Sequence, residues 1–297
     1  MAKLRLEVCS NCCFNCYFCH GDQVCNNNFN NQLTAADYGF LTKVAKTCGF
    51  KKVAVAGGEP LIKNDIVNIL EQIKNNNVKV QLTTNGYMLN VLNACNVVDS
   101  INLSIHSLDL TLHEKITNKK FALPIIIENL YEFKQLHPQV VIKFNVVALK
   151  NKTWTEENLK QLLNFCVDNN ITLKFIELLD GSNPEFVSVE QMESDLKSAG
   201  FKRVGRQLRN TYLSNGTANV ILQQCFCSYA KSKPNTREIC NKYNDLFILS
   251  NGDVQLCRNS NKNISLYNAI VNRNKLELKT LILQAKKMLG EHCNKKD

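Results

Sequence analysis

VAVAGGEPLIKNDIVNILEQIKNNNVKVQLTTNG, residues 53–86, holds one complete structural unit. Val53–Ala56 is a short β-rich run closed by Gly57-Gly58. Pro60 stands where its fixed φ suits the start of a helix, and a helical stretch returns the chain to β-forming residues at Val78–Thr83. Strand, helix and strand at this spacing pair the two strands in parallel, with the helix crossing one face. Outward from this unit the pattern repeats. Further strands are expected at Leu4–Val8, Ile101–Ile105, Val140–Val147 and Thr172–Leu178. Thr34-Ala-Ala-Asp37 reads as a capping box whose helix stops at Gly49. Thr155-Glu-Glu-Asn158 caps another helix, with Leu159, Leu162, Leu163 and Cys166 at helical spacing. Six strand–helix units in alternation predict an α/β fold: a parallel sheet with helices outside, curled into a partial (β/α)6 barrel.

The pattern changes after Gly181. Residues 211–225 and 246–257 read as hairpins turning at Ser-Asn-Gly, and Leu276–Leu289 as an amphipathic helix. A boundary is expected near Asn183-Pro184, dividing a barrel over 1–184 from a smaller β-containing region over 185–297.

The chain has 297 residues, 44% of them hydrophobic, so it can bury a sizeable core, and no apolar run is long enough to span a bilayer. Met1-Ala-Lys-Leu-Arg leads into alternating sequence without an apolar signal core, which predicts a cytoplasmic protein with reduced thiols. The net charge of +10 is scattered rather than gathered into a basic run with interleaved aromatics. No nucleic-acid partner is expected; the charge suits a solvated surface and an anionic small molecule.

Strand faces locate the ligand. Ile101, Leu103 and Ile105 alternate with Asn102, Ser104 and His106, so the polar set faces the lumen if the apolar set packs on helices. Gln81, Thr83 and Asn85 share a face likewise, as do Lys143 and Asn145. A lumen filled only for packing is aliphatic, so these rows predict a bound polar molecule. The loop after the first strand, EVCSNCCFNCYFCHGD (residues 7–22), contains Cys12-x3-Cys16-x2-Cys19. Three thiolates on one short loop can hold three corners of an iron–sulfur cube and leave one iron open. Structural zinc is the other reading, with a fourth ligand from Cys9, Cys13, Cys25 or His20.

Cys-x3-Cys-x2-Cys with Phe18 before its last cysteine resembles the signature of the radical S-adenosylmethionine enzymes. AGGEP (56–60), TTNG (83–86), INLSIHSLD (101–109), IKFNVV (142–147) and LKFIELL (173–179) follow in order on the expected strands. Together they resemble the GTP 3′,8-cyclases of molybdenum cofactor biosynthesis, over about residues 3–180 and more weakly over 217–260. The resemblance implies that Cys12, Cys16 and Cys19 ligate a 4Fe-4S cluster whose open iron takes S-adenosylmethionine. It implies reductive cleavage to a 5′-deoxyadenosyl radical that abstracts hydrogen from a substrate. Phe18 would lie against adenine, Gly57, Gly58 and Glu59 would hold the amino group, and Ser104 and Asn145 would make further cofactor contacts. Arg5, Thr83, His106 and Lys143 are the implied substrate residues. A small-molecule or peptide substrate and an electron donor such as a flavodoxin or ferredoxin are the implied partners.

CNKYNDLFILSNGDVQLC (240–257) resembles the family's second cluster motif, part of a carboxyl-terminal region of the twitch/SPASM kind. Cys240 and Cys257 match its first and last cysteines, Tyr243 replaces the middle one, and Cys227 or Cys225 can supply the missing thiolate. A second iron–sulfur cluster is expected there, with zinc as the alternative. Other departures bear on substrate. Asn244-Asp245-Leu246-Phe247 stands where the cyclases carry Asn-Arg-x-Arg, and Ala54 replaces an arginine before the Gly-Gly-Glu motif. Fewer guanidinium forks weaken the grip on a triphosphate. A divergent substrate is therefore expected, a nucleotide-derived metabolite or a peptide. A true GTP cyclase and a metal-stabilised binding protein without catalysis are the alternatives.

Overall fold

The computed structural model describes residues 3–19, 32–257 and 262–289. His20 and Cys25, two of the candidate zinc ligands, lie outside the described residues. The elements run β1 (Leu4–Glu7), α1 (Ala35–Thr47), β2 (Lys52–Ala56), α2 (Ile66–Lys74), β3 (Lys79–Thr84), β4 (Ser100–Ser104), α3 (Leu110–Thr117), α4 (Ala122–Leu136), β5 (Val141–Val147), α5 (Glu156–Asp168) and β6 (Thr172–Ile176). The last third adds α6 (Val189–Ser198), β7 (Lys202–Gln207), β8 (Asn210–Ser214), β9 (Asn219–Gln223), α7 (Phe226–Lys231), α8 (Thr236–Tyr243), β10 (Leu246–Ile248), β11 (Asp253–Gln255), β12 (Asn263–Ser265), α9 (Tyr267–Val271) and α10 (Lys275–Met288). No helix among the described residues is long and apolar enough to cross a membrane.

β1 through β6 pair in parallel, each beside the next in sequence, as the repeated strand–helix–strand reading requires. Their outward residues, such as Leu6, Val55, Leu82, Leu103, Phe144 and Phe175, are fully buried beneath the helices. The capping box forms: the Thr34 hydroxyl accepts from the Asp37 amide, and the Asp37 carboxylate accepts from the Thr34 amide at 2.8 Å. Thr155 likewise accepts from the Asn158 amide at the start of α5.

The last third does not stack on one side of the sheet. It extends the sheet at both edges, in the order β12-β11-β10-β1-β2-β3-β4-β5-β6-β9-β8-β7. β9 lies parallel to β6 and starts the β9-β8-β7 meander; β10 lies parallel to β1 and starts the β10-β11-β12 meander. Both Ser-Asn-Gly hairpins are present as β8/β9 and β10/β11, whereas β7 and β12 come in addition. The expected boundary at Asn183-Pro184 falls in the connection between β6 and α6, and downstream of it the same sheet continues.

Candidate active site

The loop that follows β1 is fixed from two sides. On one side it runs against the glycines after β2: the Gly58 amide donates to Cys9 O at 2.9 Å, and the Glu59 amide to Asn11 O at 2.8 Å. A Cβ on Gly57, whose φ is 145°, would sit 2.3 Å from Cys9 O, and one on Gly58 would sit 2.1 Å from Asn11 O. Only two bare Cα atoms let the backbones pass this closely. On the other side the loop meets the carboxyl end of α3. The Asn15 amide donates to Thr117 O at 3.0 Å and the Tyr17 amide to Ile116 O at 3.2 Å, so the loop satisfies carbonyls that the helix leaves open. Phe14 is buried beneath, edge-on to Tyr87 with centroids 6.0 Å apart, and its amide donates to Cys12 Sγ at 3.4 Å.

Glu59 ties the neighbouring loops together. Its carboxylate is 1% exposed and accepts from the Thr84 hydroxyl at 2.6 Å, the Leu61 amide at 3.0 Å and the Asn85 amide at 2.6 Å. Burial pushes its pKa up to about 7 against those three donors. A carboxylate offers about four lone-pair directions, so one remains for an ammonium group. Asn85 in turn points its amide at Cys13 Sγ, 3.3 Å away.

These loops surround a cavity of about 390 Å³ at the carboxyl end of the parallel strands. Cys12, Cys16, Cys19, Phe18, Gly57, Gly58, Glu59, Ser104 and Asn145 all line it, as do Arg5, Thr83 and His106. Lys143 does not. It stands two residues before Asn145 on β5, one pleat nearer the amino end, level with Asn102 of β4. His106 is held by the Val147 amide, which donates to Nδ1 at 3.2 Å, and by the Phe18 ring, edge-on with centroids 4.9 Å apart. Accepting at Nδ1 leaves the proton on Nε2, and burial lowers the ring pKa to about 3, so the imidazole is neutral. Asn145 Oδ1 and Arg5 Nε are buried without a partner among the described residues. Two unpaired groups in one cavity are what a polar ligand would satisfy.

Around the cavity the lumen is basic, with Lys174 in register with the lining Asn145. Lys174 on β6 is lowered to about 7 by burial and by Lys3, Arg209, Lys143 and Arg5 around it. Lys3, lowered to about 8 by burial, donates to Gln81 Oε1 at 2.9 Å. The Arg5 guanidinium lies 5.8 Å from the Phe247 ring centre and that of Arg209 lies 5.5 Å from the Phe226 ring centre. Arg209 sits in the short β7–β8 turn and lines the cavity from the far edge of the sheet. Nothing local in the sequence marks it, because its placement depends on β9 adding to β6.

The last third supplies the opposite wall. Cys225, Cys227, Cys240 and Cys257 all line the same cavity, with Asn244, Asp245 and Phe247 between them. The β10/β11 register, Phe247 opposite Gln255, brings Cys257 level with Asp245, just past the end of α8 that carries Cys240. Hydrogen bonding with Cys227 lowers the Cys225 thiol against its burial. Glu177, also in the wall, accepts from the Cys225 amide at 2.9 Å and the Val189 amide at 3.1 Å, pinning the Cys225 loop to the end of β6. Among the described residues no three His, Cys, Asp or Glu side chains close on a point fit for one metal ion. The thiols border a cavity instead, Cys12, Cys16 and Cys19 on one wall and Cys225, Cys227, Cys240 and Cys257 on the other.

The chain is similar to known proteins in both sequence and architecture. The family model described as the Radical SAM superfamily matches residues 6–166. The probable GTP 3′,8-cyclase of Pyrobaculum aerophilum is 31% identical over 228 residues, covering 72% of each chain. The GTP 3′,8-cyclase of Actinobacillus pleuropneumoniae serotype 5b is 27% identical over 274 residues, covering 89% of this chain and 78% of its own. In architecture the chain is similar to Streptococcus suis SuiB bound to S-adenosylmethionine, with a TM-score of 0.67 at 17% identity over 97% of this chain and 69% of that one. It is also similar to anSMEcpe with bound AdoMet, with a TM-score of 0.55 at 14% identity over 86% and 74% of the two chains.

Proposed function

The chain belongs to the radical SAM superfamily, and from that premise we propose that it is an enzyme abstracting hydrogen from an anionic, nucleotide-derived small molecule. Its cofactors are a 4Fe-4S cluster and S-adenosylmethionine, for which Cys12, Cys16 and Cys19 offer three thiolates on one wall. When bound, they supply the one-electron cleavage of a carbon–sulfur bond and with it the power to take a hydrogen atom. The chain's own work is placement. Gly57 and Gly58 let the cysteine loop approach, Glu59 keeps one acceptor position for the amino group, and Asn145 Oδ1 offers another polar contact. His106 offers its Nε2–H beside Phe18, which helps fix the bound molecules in place.

The observation that carries the substrate class is the convergence of Arg5 and Arg209 on one cavity, with Lys174 close to both. Two planar forks backed by aromatic rings suit a phosphate or carboxylate. Asp245 and Phe247 line the cavity where the cyclases carry arginines, which favours a substrate other than GTP. Four thiols on the carboxyl-terminal wall favour a second cluster held by Cys225, Cys227, Cys240 and Cys257. The relatives named as GTP 3′,8-cyclases favour the cyclase as the second reading.

Anaerobic reconstitution, reduction and S-adenosylmethionine should yield 5′-deoxyadenosine, with turnover raised by a nucleoside phosphate. An intact cluster that yields none would end the enzyme reading, and GTP turnover would establish the cyclase. Iron counting on the Cys12/Cys16/Cys19 triple alanine variant should find about four irons per chain. Zinc or no metal would remove the second cluster.

A further inference from the structure

The carboxyl end of α3 that fastens the cysteine loop continues directly to the surface. After Thr117 and Ile116 accept the loop amides, Asn118 turns the chain in the left-handed region, and Lys119, Lys120 and Phe121 follow. Lys120 is exposed, as is Lys115 on the last turn of α3, and Lys119 is half-buried with its ammonium 5.1 Å from the Tyr87 ring centre. Tyr87 packs on Phe14, and the Phe14 amide donates to Cys12 Sγ. One aromatic pair therefore separates Lys119 from a cysteine of the loop. None of the three lysines forms an ion pair among the described residues. The nearest carboxylate in sequence, Glu114, instead accepts from the Phe121 amide at 2.8 Å.

Phe121 is the oddity. It is 70% exposed, and its φ of 55° places a bulky aromatic in the left-handed region that disfavours it. Folding gains little from an exposed, strained phenyl ring at the start of α4. A ring flanked by unpaired lysines does suit a partner with an apolar centre and an acidic rim.

We propose that the α3–α4 connection, with Lys115, Lys119, Lys120 and Phe121, is the docking surface for an acidic one-electron carrier protein. The proposal rests on the cluster assignment to Cys12, Cys16 and Cys19. One electron leaves the partner's reduced carrier, which is oxidised by one, and arrives at the metal group of the cysteine loop, which is reduced by one; no atom is transferred. The net charge of +10 adds long-range attraction for such a partner, and the lysines fix where it lands.

The test uses the reconstituted full chain with flavodoxin as the probe. Reduced flavodoxin should bleach the cluster's visible absorbance at a second-order rate that falls with ionic strength. Reversing the three lysines (Lys115→Glu, Lys119→Glu, Lys120→Glu) should slow it about tenfold or more. Phe121→Gly should slow it several-fold while leaving thermal stability unchanged or higher, since glycine adopts this φ freely. Dithionite, which needs no docking surface, should reduce every variant at the wild-type rate. Flavodoxin rates unaffected by these substitutions, or dithionite rates that fall in step with them, would overturn the proposal. Calorimetric titration of the metal-free chain with oxidised flavodoxin separates the two claims. A failure to take up iron counts against the cluster assignment, whereas docking is decided by whether the lysine reversal abolishes binding.

Discussion

At the residue scale, Gly57 and Gly58 show how a motif read for its chemistry is first a matter of space. Gly58→Ala places a methyl group 2.1 Å from Asn11 O, in backbone that cannot rotate away. This variant should lose about 3 kcal/mol or more, or displace the cysteine loop. Denaturant unfolding of the metal-free protein and iron uptake report the two outcomes; wild-type values for both would mean the loop is free to shift. His106 makes a pH prediction. Its pKa falls from 6.5 unfolded to about 3 folded, chiefly through burial and also through nearby His113. The unfolded chain binds this proton first, so the contribution is complete above pH 6.5 and is lost as pH falls toward 3. The slope is about 1.4 kcal/mol per pH unit. His106→Gln, whose carbonyl can still accept from Val147, should flatten the stability curve below that pH. An unchanged slope would place the effect elsewhere, with His113 the first candidate, since burial lowers its pKa too.

At the scale of elements, α3 acts as a bracket for the cysteine loop, and its last turn depends on Asn118 at φ 51°. Asn118→Val forces a β-branched side chain into that conformation at a cost of about 1–2 kcal/mol, and Asn118→Gly should be neutral. Thermal melts should separate the two variants, with faster thiol labelling at Cys16 in the valine variant alone. The six parallel strands and both hairpins were legible in the sequence, because alternating apolar residues and Ser-Asn-Gly turns are local signals. The lumen set of Ser104, His106 and Asn145 followed from the same alternation. Neither Arg209 nor Glu177 was legible as a cavity residue. Arg209 reaches the wall only because β9 joins β6, a pairing between distant segments that no local pattern encodes. Glu177, directly after β6, has its role set by the distant Cys225 and Val189 amides it accepts from. Lys143 shows the opposite failure: the right face was read, and the height along the strand was not.

For the whole molecule, the basic lumen sets stability against function. Lys174, lowered to about 7 among Lys3, Arg209, Lys143 and Arg5, costs the empty protein free energy that an anion would recover. Lys174→Met should raise the stability of the metal-free chain by about 1–2 kcal/mol and abolish any stabilisation by added nucleoside phosphate. Unfolding midpoints with and without the phosphate give both quantities. A destabilised variant would show that the lysine has a partner role in the fold.

The same architecture imposes an order on assembly. The edges of the sheet are both made by the last third of the chain, and the bond from the Lys3 amide to Asp245 spans 242 residues. Closing so long a loop is slow compared with pairing neighbouring strands, and during synthesis the amino-terminal strands emerge first. The cysteine loop thus emerges before the wall opposite it exists. The single tryptophan, Trp154, packs edge-on against Phe175 in the parallel half, whereas the buried Cys240 belongs to the closing wall. On refolding, tryptophan fluorescence should recover before Cys240 becomes protected from a thiol reagent, as read by site-resolved mass spectrometry. Simultaneous recovery would mean that the two edges lock together with the centre in one step.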